Sequence, residues 1–456
     1  MHVQTSTFWS KWKEGVVGDE QATLILLGNF EVEEYWAQDR LKLPSVSGKG
    51  GRRIVHRMEE LGVFLASTED VVVMKAGMDV TYQQYMQEIK HPLPNMISLS
   101  RNIPHLSITE NLLQCEQTIA QLKMLRQEHS ALYLLPFGVS GHEEELAQLT
   151  GIPLAVPSQA IFERVNSKIY SRKINEELGI RQVPGVCCEG IAELQSGFAR
   201  MRASLTAGKK IVLKDAHGVS GKGITVIESE KRFQQLLKML TRSCTGKKEQ
   251  VAFVLEEWVE KRCDLNVQAV ITRTGEVLLH AIKEAVTRGG VHQGHYFPAR
   301  LTPTQRTQLY EVVQKLGHAL YADGYFGMMG VDAMVGVDDS LWPNVEINAR
   351  LNLSTYQSLL EERYVAAGQV MWAKHYPVQL VRPLPFRDLR DRLDDLLLTK
   401  RGECGLFIHN HATMNAAYQE DGKPFPGRLY ALLIADEDEQ LYALNDEVEQ
   451  RLQSLI

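Results

Sequence analysis

The chain has 456 residues, 44% of them hydrophobic and 23% charged, proportions ordinary for a globular enzyme of roughly two to four structural units. Its formal net charge of −6 speaks against a general affinity for nucleic acid or anionic membrane, and no apolar run approaches the roughly 18 residues that span a bilayer. The opening MHVQTSTFWSKWKEG lacks a signal-peptide core, and Cys115, Cys187, Cys188, Cys244, Cys263 and Cys404 show neither CxxC spacing nor a disulfide framework, so a reducing cytoplasm is the expected setting.

Thr23–Leu27 (TLILL), Val71–Met74 and Leu132–Leu135 are apolar runs of strand length, each followed by a glycine-containing loop. With amphipathic stretches between them, such as Ile108–His129, they predict a parallel α/β domain over residues 1–157. Gly48-Lys49-Gly50-Gly51 could hold a phosphate, although the motif is short. Gly138-Val139-Ser140-Gly141 stands between a strand and a helix, where ligands often sit, but reads first as a tight turn.

A helix is expected from Ile161 to Leu178, with Ile161, Val165, Ile169 and Ile174 on or near one face and Gly179 at its end. Lys168 and Arg172 share a flank of it, where exposed cations are usually solubilising. Lys209–Lys214 and Ile224–Glu228 are strands joined by DAHGVSGKG, Asp215–Gly223. Three glycines with a serine and a lysine can turn backbone N–H groups around phosphate oxygens. A Walker A loop needs Ser or Thr after Gly-Lys and opens a helix; here Gly221-Lys222 precedes Gly223 and a β run. The loop is therefore a flexible hairpin flap, with Lys214 ending its entering strand.

Val251–Val259 and Asn266–Ile271 are further strands, with Asp264 between them, and Gly275 marks a hairpin to Val277–Lys283. Thr287–Pro298 is expected to be a loop carrying Arg288, His292 and His295. Its His-x-x-His has no third zinc ligand at a recognisable spacing. A helix over Thr302–Asp323 leads to Gly330–Asn352, GVDAMVGVDDSLWPNVEINARLN. Folded at Asp338-Asp339-Ser340, this stretch pairs Val337 with Leu341, Gly336 with Trp342 and, further out, Asp332 with Glu346. Directly opposed residues share a face, with Cβ atoms about 5 Å apart. Alternation adds Asn348 and Arg350 to that face and sends Ile347 and Ala349 to the other. A lone strand glutamate would be a solvated charge. Two carboxylates, an amide oxygen and a guanidinium in one column make a hard-cation site beside an anion clamp, which suits Mg²⁺ and phosphate.

Pro377, Pro383 and Pro385 mark a linker. The helical stripe Phe386, Leu389, Leu393 and Leu396, a β-rich stretch and a last helix near Asn445–Leu455 predict a small α+β domain over 383–456. His409 and His411 read as surface or packing residues.

A helix lysine, a strand lysine, a glycine flap, an acidic hinge and an Asp…Glu-x-Asn hairpin follow one another over roughly Ile152–Pro377. In that order they resemble the ATP-grasp superfamily of carboxylate ligases. The resemblance implies an α/β protein with a Rossmann-like N-terminal domain and a two-lobed ATP-grasp fold over 158–382, its flap subdomain at about 180–260. By the same resemblance Lys168 and Lys214 would contact the ATP phosphates, Lys214 also facing the adenine pocket. Gly218, Ser220, Gly221 and Gly223 would cover the triphosphate. Glu256, Glu257, Trp258 and Val259 would form the hinge beside adenine, the backbone of Glu257 and Val259 reading the base, and Asp264 would bind ribose. Asp332, Glu346 and Asn348 would hold Mg²⁺, with Mn²⁺ as an alternative, and Arg350 would stabilise the phosphorylated intermediate. Lys283 stands where many members place a substrate- or phosphate-contacting cation, and Arg288, in the stretch expected to set specificity, is a further catalytic candidate.

Lys168 follows Asn166-Ser167, whereas many members have an aspartate directly before the lysine. LLGNFEVEEYW (Leu26–Trp36) and the C-terminal extension are not general family features. With EINARLN they resemble a smaller group of natural-product ligases with a pre-ATP-grasp domain, which includes the pheganomycin-type peptide ligases and the butirosin-pathway glutamate–acyl-carrier-protein ligase. This implies a ligase that activates an amino-acid carboxylate, glutamate first, as an acyl phosphate. The acyl group would pass to an amine or thiol acceptor, a peptide or acyl-carrier-protein group among them. Many relatives are dimers, so a homodimer is an expected assembly. The rival readings are an ATP-grasp carboxylate kinase or carboxylase, which would need no amine or thiol, and a non-catalytic ATP-binding scaffold, against which the intact Asp332, Glu346, Asn348 and Arg350 argue.

Overall fold

The structure, a computed structural model, describes residues 7–43, 49–218, 223–243, 250–288 and 291–453. The N-terminal sheet is parallel, four-stranded and ordered Asn95–Ser98, Val71–Met74, Thr23–Leu27, Leu132–Pro136. The runs Val71–Met74, Thr23–Leu27 and Leu132–Pro136 are mostly apolar because helices cover both faces. Asn95–Ser98, an edge strand with a partly exposed and polar sequence, is the one that hydrophobic pattern did not reveal. The amphipathic stretch from Ile108 forms two helices, Ile108–Leu113 and Glu116–Glu128. Gly48 lies outside the described residues and Lys49–Gly51 begin the helix Lys49–Val55, while Ser140 caps the helix Gly141–Thr150 in a reciprocal pair with Glu143.

The expected single helix over Ile161–Leu178 is two, Gln159–Val165 and Lys168–Glu177. Ser167 breaks it: its side chain accepts from the Ile169 N–H and starts a new helix, as an N-cap serine does. A second, antiparallel sheet follows, ordered Gly185–Cys188, Phe253–Glu257, Ile211–Asp215, Ile224–Ile227. The helices Ile191–Thr206 and Glu230–Ser243 back it through a separate core, in which Phe198 and Phe233 stack at 3.6 Å.

The third sheet has eight strands: Leu341–Asn348, Gly327–Gly336, Lys261–Ile271, Val277–Arg288, Val291–Phe297, Val370–Leu380, Phe425–Ala435 and Gly405–Asn410. Thr287–Pro298 is thus mostly strand rather than loop. Pro377 sits inside Val370–Leu380, past Lys374, where pairing with the Val291–Phe297 strand ends, so one flank needs no N–H from it. The C-terminal strands continue the same sheet as the hairpin of Gly327–Gly336 and Leu341–Asn348, and one hydrophobic core runs from Trp9 to Leu452. Tyr82 and Tyr85, on the N-terminal helix Val80–Glu88, donate to the carbonyls of Ile408 and Leu398 at 2.7 and 2.8 Å. His409 and His411 are buried in this junction.

Candidate active site

The hairpin formed by Gly327–Gly336 and Leu341–Asn348 pairs Asp332 with Glu346 and Gly330 with Asn348, as alternation requires. Nearer the turn the register departs from expectation: Leu341 faces Val335 and Trp342 faces Met334. The two-residue difference is absorbed between Trp342 and Glu346, around Pro343, which has no N–H for the ladder. The bulge lets the turn and the site keep separate registers.

Asp332 accepts hydrogen bonds from Asn266 Nδ2 at 2.8 Å and Asn348 Nδ2 at 3.0 Å. Burial, then the facing Glu346, pushes its carboxyl up to about 6. Lys168, first residue of the helix that Ser167 caps, donates to Glu346 Oε1 at 2.6 Å and to the Gly218 carbonyl at 2.8 Å. Arg350 is held on three sides. Its Nε donates to Glu33 Oε1 at 2.6 Å, Nη2 to Asn348 Oδ1 at 2.8 Å and Nη1 to the Leu351 carbonyl at 3.1 Å, with the guanidinium 5.1 Å from the Phe137 ring centre.

A buried amide network supports this face. Gln268 Nε2 donates to Asn266 Oδ1 at 2.6 Å and Asn352 Oδ1 at 3.0 Å, and Ser354 Oγ bonds the same two oxygens at 2.6 and 2.7 Å. Gly330 makes room for it: a Cβ there would stand 2.5 Å from Asn352 Nδ2 and 3.1 Å from Gln268 Nε2. Asn266 and Gln268 alternate with buried apolar residues on Lys261–Ile271, a period-two signal that could have placed them under Asp332.

Two carboxylates forced together and an amide oxygen form a donor set that fits a hard divalent cation, beside the Lys168 ammonium that stands against Glu346. Among the described residues no three His, Cys, Asp or Glu side chains converge as a metal centre; the set here is two carboxylates and an amide. Asn348 Oδ1 already accepts from Arg350 and retains one lone pair for a metal.

The second group lies on the flap side. Lys214 and Arg172 both pair with Glu256, Arg172 Nη1 at 3.1 Å. Arg172 also donates to the Val183 carbonyl at 3.0 Å, so it is a buried clamp and not the solubilising cation its helix position suggested. The Glu257 and Trp258 N–H groups donate to the Pro184 and Lys210 carbonyls, both at 2.9 Å. The Glu257 carboxylate accepts from Ser204 at 2.7 Å and Lys209 at 2.8 Å. Trp258 is exposed, Val259 is half-buried just past the strand, and Asp264 is paired with Lys261 at 2.6 Å.

Gly218 and Gly223 flank the flap. Gly223 has φ +75° and passes so close to Asp215 that a Cβ would stand 2.2 Å from Oδ2; Ser220 and Gly221 lie outside the described residues. Lys283 is not an open-site cation. It is fully buried, donates to the Ser354 carbonyl and Ser358 Oγ, and burial pushes its ammonium down to about 7. It holds the helix Leu353–Tyr364 against the sheet. Arg288 ends its strand opposite Val291, and its side chain and that of His292 lie outside the described residues. His295 is buried against Gln357 at 2.9 Å.

Residues 58–152 match the pre-ATP-grasp domain and 173–359 the ATP-grasp domain. The [butirosin acyl-carrier protein]–L-glutamate ligase of Niallia circulans is 25% identical over 418 residues, 91% of each chain. A formate-dependent phosphoribosylglycinamide formyltransferase of Bacteroides thetaiotaomicron is 21% identical over 39% of this chain and 44% of its own. Among solved structures, the biotin carboxylase of Campylobacter jejuni with a bound ATP analogue superposes with a TM-score of 0.55 at 14% identity over 95% of both chains. An N5-carboxyaminoimidazole ribonucleotide synthetase with bound ADP gives 0.54 at 13% identity, over 95% of this chain and 97% of that one; both likenesses concern the fold. With the matched domains in this order and the carboxylate hairpin within the second of them, the chain belongs to the ATP-grasp family of ATP-dependent ligases, with a pre-ATP-grasp domain ahead of its catalytic one.

Proposed function

We propose that this ligase transfers the γ-phosphoryl group of ATP to the carboxylate of an amino acid, glutamate first, and passes the resulting acyl group to an amine or thiol of a small molecule, peptide or acyl-carrier protein in a natural-product pathway. The observation that carries the reading is the convergence of Asp332, Glu346 and Asn348 with Lys168 and Arg350 at one end of one hairpin. The acceptor class draws support from the printed activity of the Niallia circulans relative, which joins L-glutamate to an acyl-carrier protein.

The chemistry brings two anions together, a carboxylate and a phosphate. Asp332, Glu346 and Asn348 would hold Mg²⁺, which neutralises phosphate oxygens in such transfers. Lys168, Lys214 and Arg350 add preorganised positive charge. Lys168 bonds both Glu346 and the Gly218 carbonyl, so a nucleotide that draws its ammonium away breaks both contacts. The glycine segment expected to cover the triphosphate would exclude water from a labile acyl phosphate. Cys263, beside the hinge, is no poised nucleophile, because burial pushes its thiol up to about 11.

The test is hydroxamate formation from ATP, Mg²⁺, hydroxylamine and each amino acid in turn, with the nucleotide product identified. ADP with a hydroxamate from one amino acid supports the reading and names the donor. AMP with pyrophosphate refutes acyl-phosphate chemistry.

A further inference from the structure

A buried carboxyl group without a hydrogen-bond partner stands at the carboxyl end of the N-terminal sheet. Glu31, on the loop leaving the Thr23–Leu27 strand, is 7% exposed, and neither carboxylate oxygen has a hydrogen-bond partner. A buried carboxylate in that state is costly, and a fold retains such a group where something else completes it. Lys75, at a neighbouring strand end, is the cation that acts on it most, yet its ammonium donates to the Leu106 carbonyl, while Glu143 and Glu34 act on it with like charge. Burial pushes Glu31 up to about 8, against the opposing pull of its own backbone N–H and of Lys75.

The position is a binding position by topology as well. Thr23–Leu27 lies between Val71–Met74 on one side and Leu132–Pro136 on the other. The chain therefore leaves it in one direction first and crosses to the other later, which opens a crevice at the strand ends. The same turn reaches the metal hairpin. The Phe30 ring packs on Phe137 and Tyr356 at 4.6 and 5.6 Å, Arg350 stands over Phe137, and Glu33 bonds Arg350.

We propose that Glu31 is the subsite for the α-ammonium group of the amino-acid substrate, holding that group while the carboxylate to be activated is directed toward Arg350. The proposal rests on the ligase reading above. An unpartnered carboxylate disfavours an anion at this place, whereas a primary ammonium, with three donors, needs one strong acceptor and two weaker ones. Binding ionises Glu31, so each ligand taken up near neutral pH releases a proton.

The experiment compares wild type with Glu31→Gln, an isosteric change at a group already inclined to be neutral, using glutamate and glutarate, which differ only in the ammonium. Hydroxamate kinetics and calorimetry in buffers of different ionisation enthalpy are the readouts. The expected result is a glutamate KM raised about ten- to hundredfold in the variant, the range of one charged hydrogen bond. The glutarate and ATP KM values and the melting temperature stay unchanged. The heat of glutamate binding depends on buffer in wild type only. Equal glutamate-to-glutarate ratios in both proteins, with buffer-independent heats, overturn the subsite and leave the ligase reading standing; ordered water then satisfies Glu31. If wild type activates another amino acid, that amino acid and its des-amino analogue decide in the same way. If it binds ATP and activates no amino acid, the donor reading fails and the subsite with it.

Discussion

Glu33 and Arg350 lie 317 positions apart in the chain, and Glu33 Oε1 accepts from Arg350 Nε at 2.6 Å. The contact crosses from the N-terminal domain to the loop that ends the carboxylate hairpin. By occupying Nε it leaves Nη2 for Asn348 and Nη1 for the Leu351 carbonyl, so a residue outside the nucleotide-binding region sets the orientation of the guanidinium. Both side chains are 10% exposed, and removing one partner of such a buried pair leaves the other charge uncompensated.

Glu33→Gln is therefore expected to destabilise the protein by about 3 kcal/mol, read by urea denaturation, and to lower kcat more than it alters KM for ATP. A variant with wild-type stability and kcat would show that Arg350 is positioned by Asn348 and Leu351 alone.

Glu346→Gln removes one of two facing carboxylates while keeping its shape. Turnover should fall roughly a hundredfold or more, the scale of a lost charge-stabilising group. The rise in melting temperature that Mg²⁺ and ATP together give wild type should shrink. Circular dichroism should report the same fold. Wild-type turnover in this variant would remove Glu346 from the metal set.

Gly330→Ala tests the amide network. The added Cβ would meet Asn352 Nδ2 at 2.5 Å, and Asn352 is tied to Gln268 and Ser354, so it has little room to withdraw. A loss of about 2 kcal/mol is expected, typical of overpacking, with weaker Mg²⁺ dependence because Asn266 also serves Asp332. Unchanged stability would mean that the network relaxes freely.

Glu60 carries a pH dependence. It accepts from the His411 and Ala412 N–H groups at 2.6 and 3.0 Å, yet burial pushes its carboxyl up to about 7 from 4.5. The folded state thus holds this proton more tightly than the unfolded chain. Its stabilising effect is complete below about pH 4.5 and is lost as pH rises through about 7. Unfolding free energy should fall over that window, by at most about 1.4 kcal/mol per pH unit for this group. Glu60→Gln keeps the acceptor oxygen and should flatten the slope; a slope unchanged between pH 5 and 7 would exclude Glu60 as its source.

The shared face of Asp332, Glu346 and Asn348 was legible because alternation along a strand is a local property, and the three fall on one side whatever happens at the turn. The register near the turn was not, since a bulge around Pro343 depends on how the hairpin packs. Ser167, two residues after the end of one helix, carried the cap signal that breaks the expected long helix, but the run of apolar residues around it outweighed that signal. Arg172 looked solvated because its partner Glu256 is 84 positions away. Lys283 looked available because strand position gives no depth. Glu33 had no local signal at all, and nothing in Gly405–Asn410 or Phe425–Ala435 tells which sheet those strands join.

The tyrosine anchors from Val80–Glu88 to the C-terminal carbonyls have a consequence for how such enzymes diversify. The last strands of the chain extend the catalytic sheet on one side and receive the N-terminal domain on the other. A new N-terminal domain, brought in by recombination, would meet a mismatched seat unless residues beyond 383 came with it. The two ends of the gene should therefore be inherited as one cassette, with the nucleotide-binding middle as the part that can be exchanged between them.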